Sequence, residues 1–97
     1  MIHHAALFRL VHPAGSAKQA SFLAALAGLR EIPGVQDFQI SREVSPKNAF
    51  DFVVSMTFAD QAAYDAYNMH PHHQGFVQGR WVPEVADFME HDSVALS

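Results

Sequence analysis

The stretch Ile2-His3-His4-Ala5-Ala6-Leu7-Phe8-Arg9-Leu10-Val11 constrains the fold more than any other part of the chain. It is rich in strand formers, and with a period of two it places Ile2, His4, Ala6, Phe8 and Leu10 on one face. The other face carries Met1, His3, Ala5, Leu7, Arg9 and Val11. Both are largely apolar, as suits a central strand covered on both sides. The chain has only 97 residues, so it forms one domain and buries about two thirds of its unfolded surface. Hydrophobic residues make up 49% and charged residues only 16%, which leaves little polar material to cover the outside. A second copy of the chain is the expected cover.

Local signals then divide the chain. Pro13-Ala14-Gly15 ends the first strand, and Ser16-Ala17-Lys18-Gln19 matches a capping box, with the Ser16 hydroxyl accepting a backbone N–H bond and Gln19 reaching back. Phe22, Leu23, Leu26 and Leu29 recur at helical spacing until Ile32-Pro33-Gly34 stops the helix. Val35 to Val44 and Asp51 to Phe58 alternate as strands around the turn Ser45-Pro46-Lys47-Asn48, which predicts an antiparallel hairpin. Asp60 caps a short helix that breaks at His70-Pro71, because the residue before proline avoids helical geometry. A second helical piece, His72 to Val82, follows, with Phe76, Val77 and Trp81 turned inward. Its Gly75 and Gly79 predict close approach of another element. Val85 to His91 is the last strand.

The order β-α-β-β-α(α)-β predicts a ferredoxin-like α+β subunit, a four-stranded antiparallel sheet with helices on one face. The opposite face, with Leu7, Val11 and Val53, would lie open until a second sheet packs on it, and a two-fold homodimer is the commonest way to supply one.

Several function classes fall away on composition. Six Lys plus Arg, scattered, with a net charge of −4, give no footprint for nucleic acid. No apolar run approaches the roughly 20 residues that span a membrane, and the N-terminus lacks the pattern of a signal peptide. A cytoplasmic location is the expectation. Without cysteine there are no disulfides, thiolate metal sites or cysteine nucleophiles. No phosphate-binding loop, dinucleotide fingerprint or nucleophile elbow is present. Ser16 and Ser41 have no evident His–Asp partners, and Glu90 and Asp92 read as a solvated strand end.

The compositional oddity is seven histidines, among them His3-His4 and His70 with His72-His73. Adjacent strand residues point to opposite faces, so at most one of His3 and His4 enters the helix-covered core. His70, His72 and His73, with His91 or Asp65, are a conceivable Zn, Ni or Cu set, although they fan around a helix start and lack a characteristic ligand spacing.

The segment Ala66-Tyr67-Asn68-Met69-His70-Pro71-His72-His73-Gln74-Gly75-Phe76, with the opening strand and the Ile32-Pro33-Gly34-Val35 turn, resembles the stress-responsive A/B barrel (Dabb, dimeric α/β barrel) family. The likeness runs from about Ile2 to His91, and the Tyr-x-x-His-Pro-x-His-x-x-Phe pattern is fairly specific. It implies a single Dabb domain over residues 1–97 whose sheet pairs with that of a second copy to form a barrel with helices outside. One branch, the plant olivetolic acid cyclases, carries out cofactor-free aldol cyclisation with a tyrosine and a histidine of this motif. By that resemblance Tyr67 and His73 are the catalytic positions and His4 a pocket histidine. Ala6 and Ala25 are smaller than their counterparts in that branch.

The chemistry is coherent. A neutral imidazole, with an ordinary pKa of ~6.5, removes a proton beside a carbonyl, and a phenol stabilises the enolate oxygen. Phe8, Val54, Met56, Phe76 and Trp81 are the expected apolar walls of the pocket. No metal or other cofactor is implied. Three readings stay open: a cyclase-like enzyme or binder for a small hydrophobic carbonyl compound, a non-catalytic stress-associated dimer, and a cofactor-free monooxygenase of the same superfamily. In the second, Tyr67 and His73 bond to each other or to backbone and merely hold the helix break, and His4 is a satisfied core histidine. That reading predicts that Trp81 and Phe8 fill the space beneath Tyr67 and His73, with no room for a ligand of about 300 Å³.

Overall fold

The computed structural model describes residues 1–97. β1 (Ile2–Leu10) leads into α1 (Ala17–Ala27), which tightens into a 3-10 turn at Gly28–Glu31. β2 (Gln36–Arg42) and β3 (Phe52–Phe58) form the hairpin, followed by α2 (Gln61–Met69), α3 (Pro71–Phe76) and β4 (Val85–Ser93). All pairings are antiparallel, in the order β2-β3-β1-β4. This is the ferredoxin-like arrangement, with the two-faced strand β1 in the interior of the sheet. No helix is long and apolar enough to cross a membrane.

The caps show how local chemistry places the helices. Ser16 Oγ accepts from the Gln19 N–H at 3.2 Å, as a capping box requires. Gln19, however, takes the Gly15 N–H at 3.1 Å, because the Ser16 N–H is already bonded to the Pro13 carbonyl. Asp60 accepts from the Ala63 N–H and starts α2. His70 is extended at ψ 135°, and its Nδ1 caps α3 by accepting from the His72 N–H at 3.1 Å. Pro71 then takes the first helical turn, where its missing donor costs nothing.

After α3 the helix does not run regularly. It opens into a π-turn at Val77–Trp81, where the Val82 N–H reaches the Val77 carbonyl, and closes with one turn at Val82–Glu84. Pro83 explains the widening: it has no N–H for the carbonyl four residues back, and its ring would collide with that group in a regular helix. A Cβ at Gly75 or Gly79 would meet nothing within 4 Å, so no element packs against these glycines; they face solvent, contrary to the close approach expected from their spacing.

The core lies between the sheet and the helices. Phe8, Phe22, Phe58 and Leu26 are essentially inaccessible, and the face of β1 through Ile2, His4, Ala6, Phe8 and Leu10 meets Phe52, Val54, Met56 and Phe58 of β3. On the opposite face Leu7 sits between Val53 and Met89 in one cross-strand row. Val11, expected on that face, lies past the end of β1, where the chain bends away with the Val11 N–H on the Glu84 carbonyl. Glu84 also ties the end of the last helical turn down: its carboxylate accepts from Arg80 Nε at 2.5 Å and pairs with His12 Nε2 at 2.7 Å, while Arg80 also donates to Ser21 Oγ.

Candidate functional site

A cavity of about 510 Å³ opens between the sheet and the helical layer, walled by 17 residues of which 13, counting both tyrosines, are hydrophobic. Its size exceeds the ~300 Å³ that separates a ligand site from a filled helix junction. Ala6, Val54 and Met56 form the sheet side, and Leu26, Leu29, Phe76 and Trp81 the helical side. His4, Tyr64, Tyr67, Asn68, His73 and Glu90 are polar groups on the same lining.

Of the residues singled out in the sequence, His4, Val54, Met56, Tyr67, His73, Phe76 and Trp81 therefore come together. Phe8 does not line the cavity. It is fully buried beneath the wall, with its ring 5.1 Å from Trp81 and 5.9 Å from Phe22, because its place on β1 lies under the helices.

The His-Pro break delivers the first polar group. Since Pro71 restarts the helix, His73 falls on its first turn, and its ring meets that of Tyr67 at 4.3 Å between centroids. His73 Nδ1 lies 3.2 Å from the Asn68 carbonyl, which can only accept, so Nδ1 carries the proton and Nε2 keeps its lone pair. Burial pushes the His73 imidazole below its ordinary pKa, the nearby His4 adding to the effect and the Asn68 carbonyl opposing it. A neutral ring with a free Nε2 results. Burial raises the Tyr67 phenol above its ordinary range, so it stays a hydrogen-bond donor.

The second polar group is built on His4, an expected pocket histidine, but its partners were not foreseen. In the β1–β4 register His4 stands directly opposite Asp92, and His4 Nδ1 approaches Asp92 Oδ1 at 2.5 Å. Tyr64 donates its hydroxyl to Asp92 Oδ2 at 2.9 Å, and its oxygen lies 3.1 Å from the same His4 Nδ1. Burial, then the Asp92 hydrogen bond, raise the Tyr64 phenol. Asp92 does sit at a solvent-exposed strand end, its side chain 43% accessible, yet it holds the one histidine of the His3-His4 pair that enters the core. Glu90 sits opposite Ala6 on the same face and reaches the cavity wall. Two signals pointed this way: Tyr64 lies one helical turn before Tyr67, and Phe88, Glu90 and Asp92 alternate on one face of β4.

The other histidines diverge. His70 caps α3, and the His72 ring lies against Gly28, where a Cβ would sit 3.8 Å away. No three His, Asp or Glu side chains form a set that could hold a metal ion.

Comparison with known proteins places the chain. The family model for the Stress Responsive A/B Barrel Domain matches residues 2–95. A Dabb-family protein with a ferredoxin-like fold from Mesorhizobium loti is 47% identical, with a TM-score of 0.96 over 99% of this chain and 97% of that one. A dimeric ferredoxin-like protein of unknown function from Thermobifida fusca is 23% identical, with a TM-score of 0.79 over 97% of this chain and 90% of its own. A hydroxynitrile lyase from Passiflora edulis shares the fold at 14% identity, with a TM-score of 0.85 over 99% of this chain and 94% of that one. No curated protein sequence matches the chain. With its element order, His-Pro motif and nearly full-length match, the protein belongs to the stress-responsive A/B barrel domain (Dabb) family.

Proposed function

We propose that the protein is a homodimeric, cofactor-free acid–base catalyst acting on a small hydrophobic carbonyl compound, with His73 as base and Tyr67 as donor to the developing oxyanion. One observation carries this reading: a neutral imidazole with a free Nε2 and a protonated phenol share the polar wall of a cavity of about 510 Å³ whose lining is mostly apolar. His4, Val54, Met56, Phe76 and Trp81 bind the substrate, its apolar part lying between sheet and helices. His73 Nε2 takes a proton from the carbon next to the carbonyl; the C–H electron pair moves into the new C=C bond, and the carbonyl oxygen gains the charge that the Tyr67 hydroxyl stabilises. The Passiflora edulis hydroxynitrile lyase supports the idea that this fold hosts lyase chemistry.

The dimer rests on the open sheet face, where Val53, Leu7 and Met89 form an apolar row, and on the dimeric state of the Thermobifida fusca relative. Sedimentation should give a dimer for the wild type and a monomer for Leu7→Glu; a wild-type monomer at micromolar concentration would refute this part.

For the chemistry, the test is hydrogen–deuterium exchange of methyl hexyl ketone in heavy water, followed by proton NMR. Exchange next to the carbonyl should exceed that in free imidazole at equal concentration; it should fall about a hundredfold at the position His73 serves in His73→Ala, and at both positions in Tyr67→Phe. Exchange at the free-imidazole rate, or an undiminished rate in His73→Ala, would sink the assignment and leave the non-catalytic dimer as the better reading.

A further inference from the structure

The cavity holds two imidazoles. His4 is fixed in a way that a merely satisfied core histidine does not require. A backbone carbonyl would meet the needs of a buried ring N–H. Here a carboxylate is brought from the neighbouring strand instead, in direct register, and a tyrosine from α2 anchors its second oxygen. Because Asp92 accepts at Nδ1, the neutral form of the His4 ring has its lone pair on Nε2. His4 lines the cavity with a side chain only 9% exposed, and its ring lies 6.4 Å from that of Tyr67. The Tyr67 phenol therefore has an imidazole with a free Nε2 at 4.3 Å and another at 6.4 Å, ring to ring.

We propose that His4 is a second acid–base group of this cavity and that Asp92 and Tyr64 are positioning residues that hold it in the Nδ1–H form; this rests on the carbonyl-chemistry reading above. A ketone oxygen bonded to Tyr67 presents two carbons from which a proton can leave. His73 serves one and His4 the other. In each case Nε2 takes the proton, the electron pair moves toward the carbonyl oxygen, and return of a proton or deuteron to the same carbon restores the ketone. The Asp92 carboxylate faces the ring that becomes positive, as it does for no other histidine of the cavity.

Methyl hexyl ketone makes the two positions separately visible, since its methyl and methylene protons give distinct NMR signals. Wild type should exchange both. Asp92→Asn should shift the methyl-to-methylene exchange ratio about tenfold or more, and His73→Ala should shift it the opposite way. NMR of the imidazole nitrogens should show His4 protonated at Nδ1 in the wild type and redistributed toward Nε2–H in Asp92→Asn. Tyr64→Phe removes only one donor to the carboxylate, and should shift the ratio in the same direction by a smaller factor; it decides the matter if Asp92→Asn fails to fold. A purely structural Asp92 would lower exchange at both positions equally and leave the ratio alone, which overturns the proposal. So does an unchanged His4 tautomer in Asp92→Asn, or loss of exchange at both positions in His73→Ala. If the wild type exchanges neither position, the carbonyl reading itself falls, and the acid–base role of His4 falls with it.

Discussion

Phe22 is the residue on which the site wall and the fold depend together, and replacing it with alanine gives a worked test. Its ring is fully buried and stands 5.9 Å from Phe8 of the sheet, 5.5 Å from Phe76 of α3 and 6.2 Å from Trp81 of the π-turn. Truncating a buried phenylalanine costs about 3–5 kcal/mol through lost transfer energy and the void left behind. Loss of three aromatic neighbours at once, each pair worth about 0.5–1.5 kcal/mol beyond burial, puts Phe22→Ala in the upper half of that range. Domains of this size have roughly 5–15 kcal/mol in total. At about 4–8 °C per kcal/mol, the melting temperature should drop by at least ~15 °C. Phe88→Ala is the companion: Phe88 is 49% exposed and makes a single edge contact with Trp81, so it should cost less than about 1 kcal/mol. Urea titration of both variants at one fixed protein concentration, which keeps any contribution from association constant, gives the comparison. A cost for Phe22→Ala below ~1.5 kcal/mol, or equal to that of Phe88→Ala, would refute the placement of the core between α1, α3 and the sheet.

Three further expectations follow from the polar groups. Arg80, then His12, hold the Glu84 carboxyl below its ordinary value, so its contribution is present above pH 4.5 and fades as the pH falls through the lower native value; Glu84→Gln should melt earlier at pH 7, by an amount on the order of 1 kcal/mol, and converge with wild type in acid. Melting curves at both pH values check this, and a gap that persists in acid would contradict it. Burial lowers the His73 pKa, so the native ring stays neutral where an unfolded chain begins to bind a proton near 6.5; stability should decline on acidification below that value, less steeply in His73→Gln, and the ketone exchange should keep its base form below pH 6.5. Equal slopes for the two proteins would count against a buried neutral His73. Asp37 has φ +52° in the bulge of β2 and accepts the Thr57 hydroxyl at 2.7 Å. Asp37→Gly relieves the backbone while losing the bond, whereas Asp37→Ala only loses, so urea unfolding should rank alanine below glycine by about 1 kcal/mol.

What could be read from the sequence was local. The two apolar faces of Ile2 to Val11 placed β1 inside the sheet, Ser16 and Asp60 marked helix starts, and the His70-Pro71 break marked the junction of α2 and α3, while the pairing of Tyr67 with His73 came from the family motif. Each depends on residues a few positions apart. The Asp92 clamp depends on a pairing across 88 positions, and without the register an acidic residue near a strand end looks like surface. Phe8 was placed one layer too high for a related reason: periodicity gives the face of a strand, but not whether the helices above leave a gap there. Gly75 and Gly79 suggested a close contact because glycine weakens a helix, yet the space beside them is empty, and nothing in the structure explains their presence.

The strand order also has a consequence for biosynthesis. β1 must pair on one side with β3 and on the other with β4, the first strand made and the last. At a translation rate of roughly 5–20 residues per second, Asp92 is added to the chain some 4–18 s after His4. During that interval one edge of the nascent sheet has no neighbour and the histidine destined for the cavity has no carboxylate. The growing chain is then most exposed to strand-to-strand association with other copies, and slower synthesis before β4 should lower the yield of folded protein.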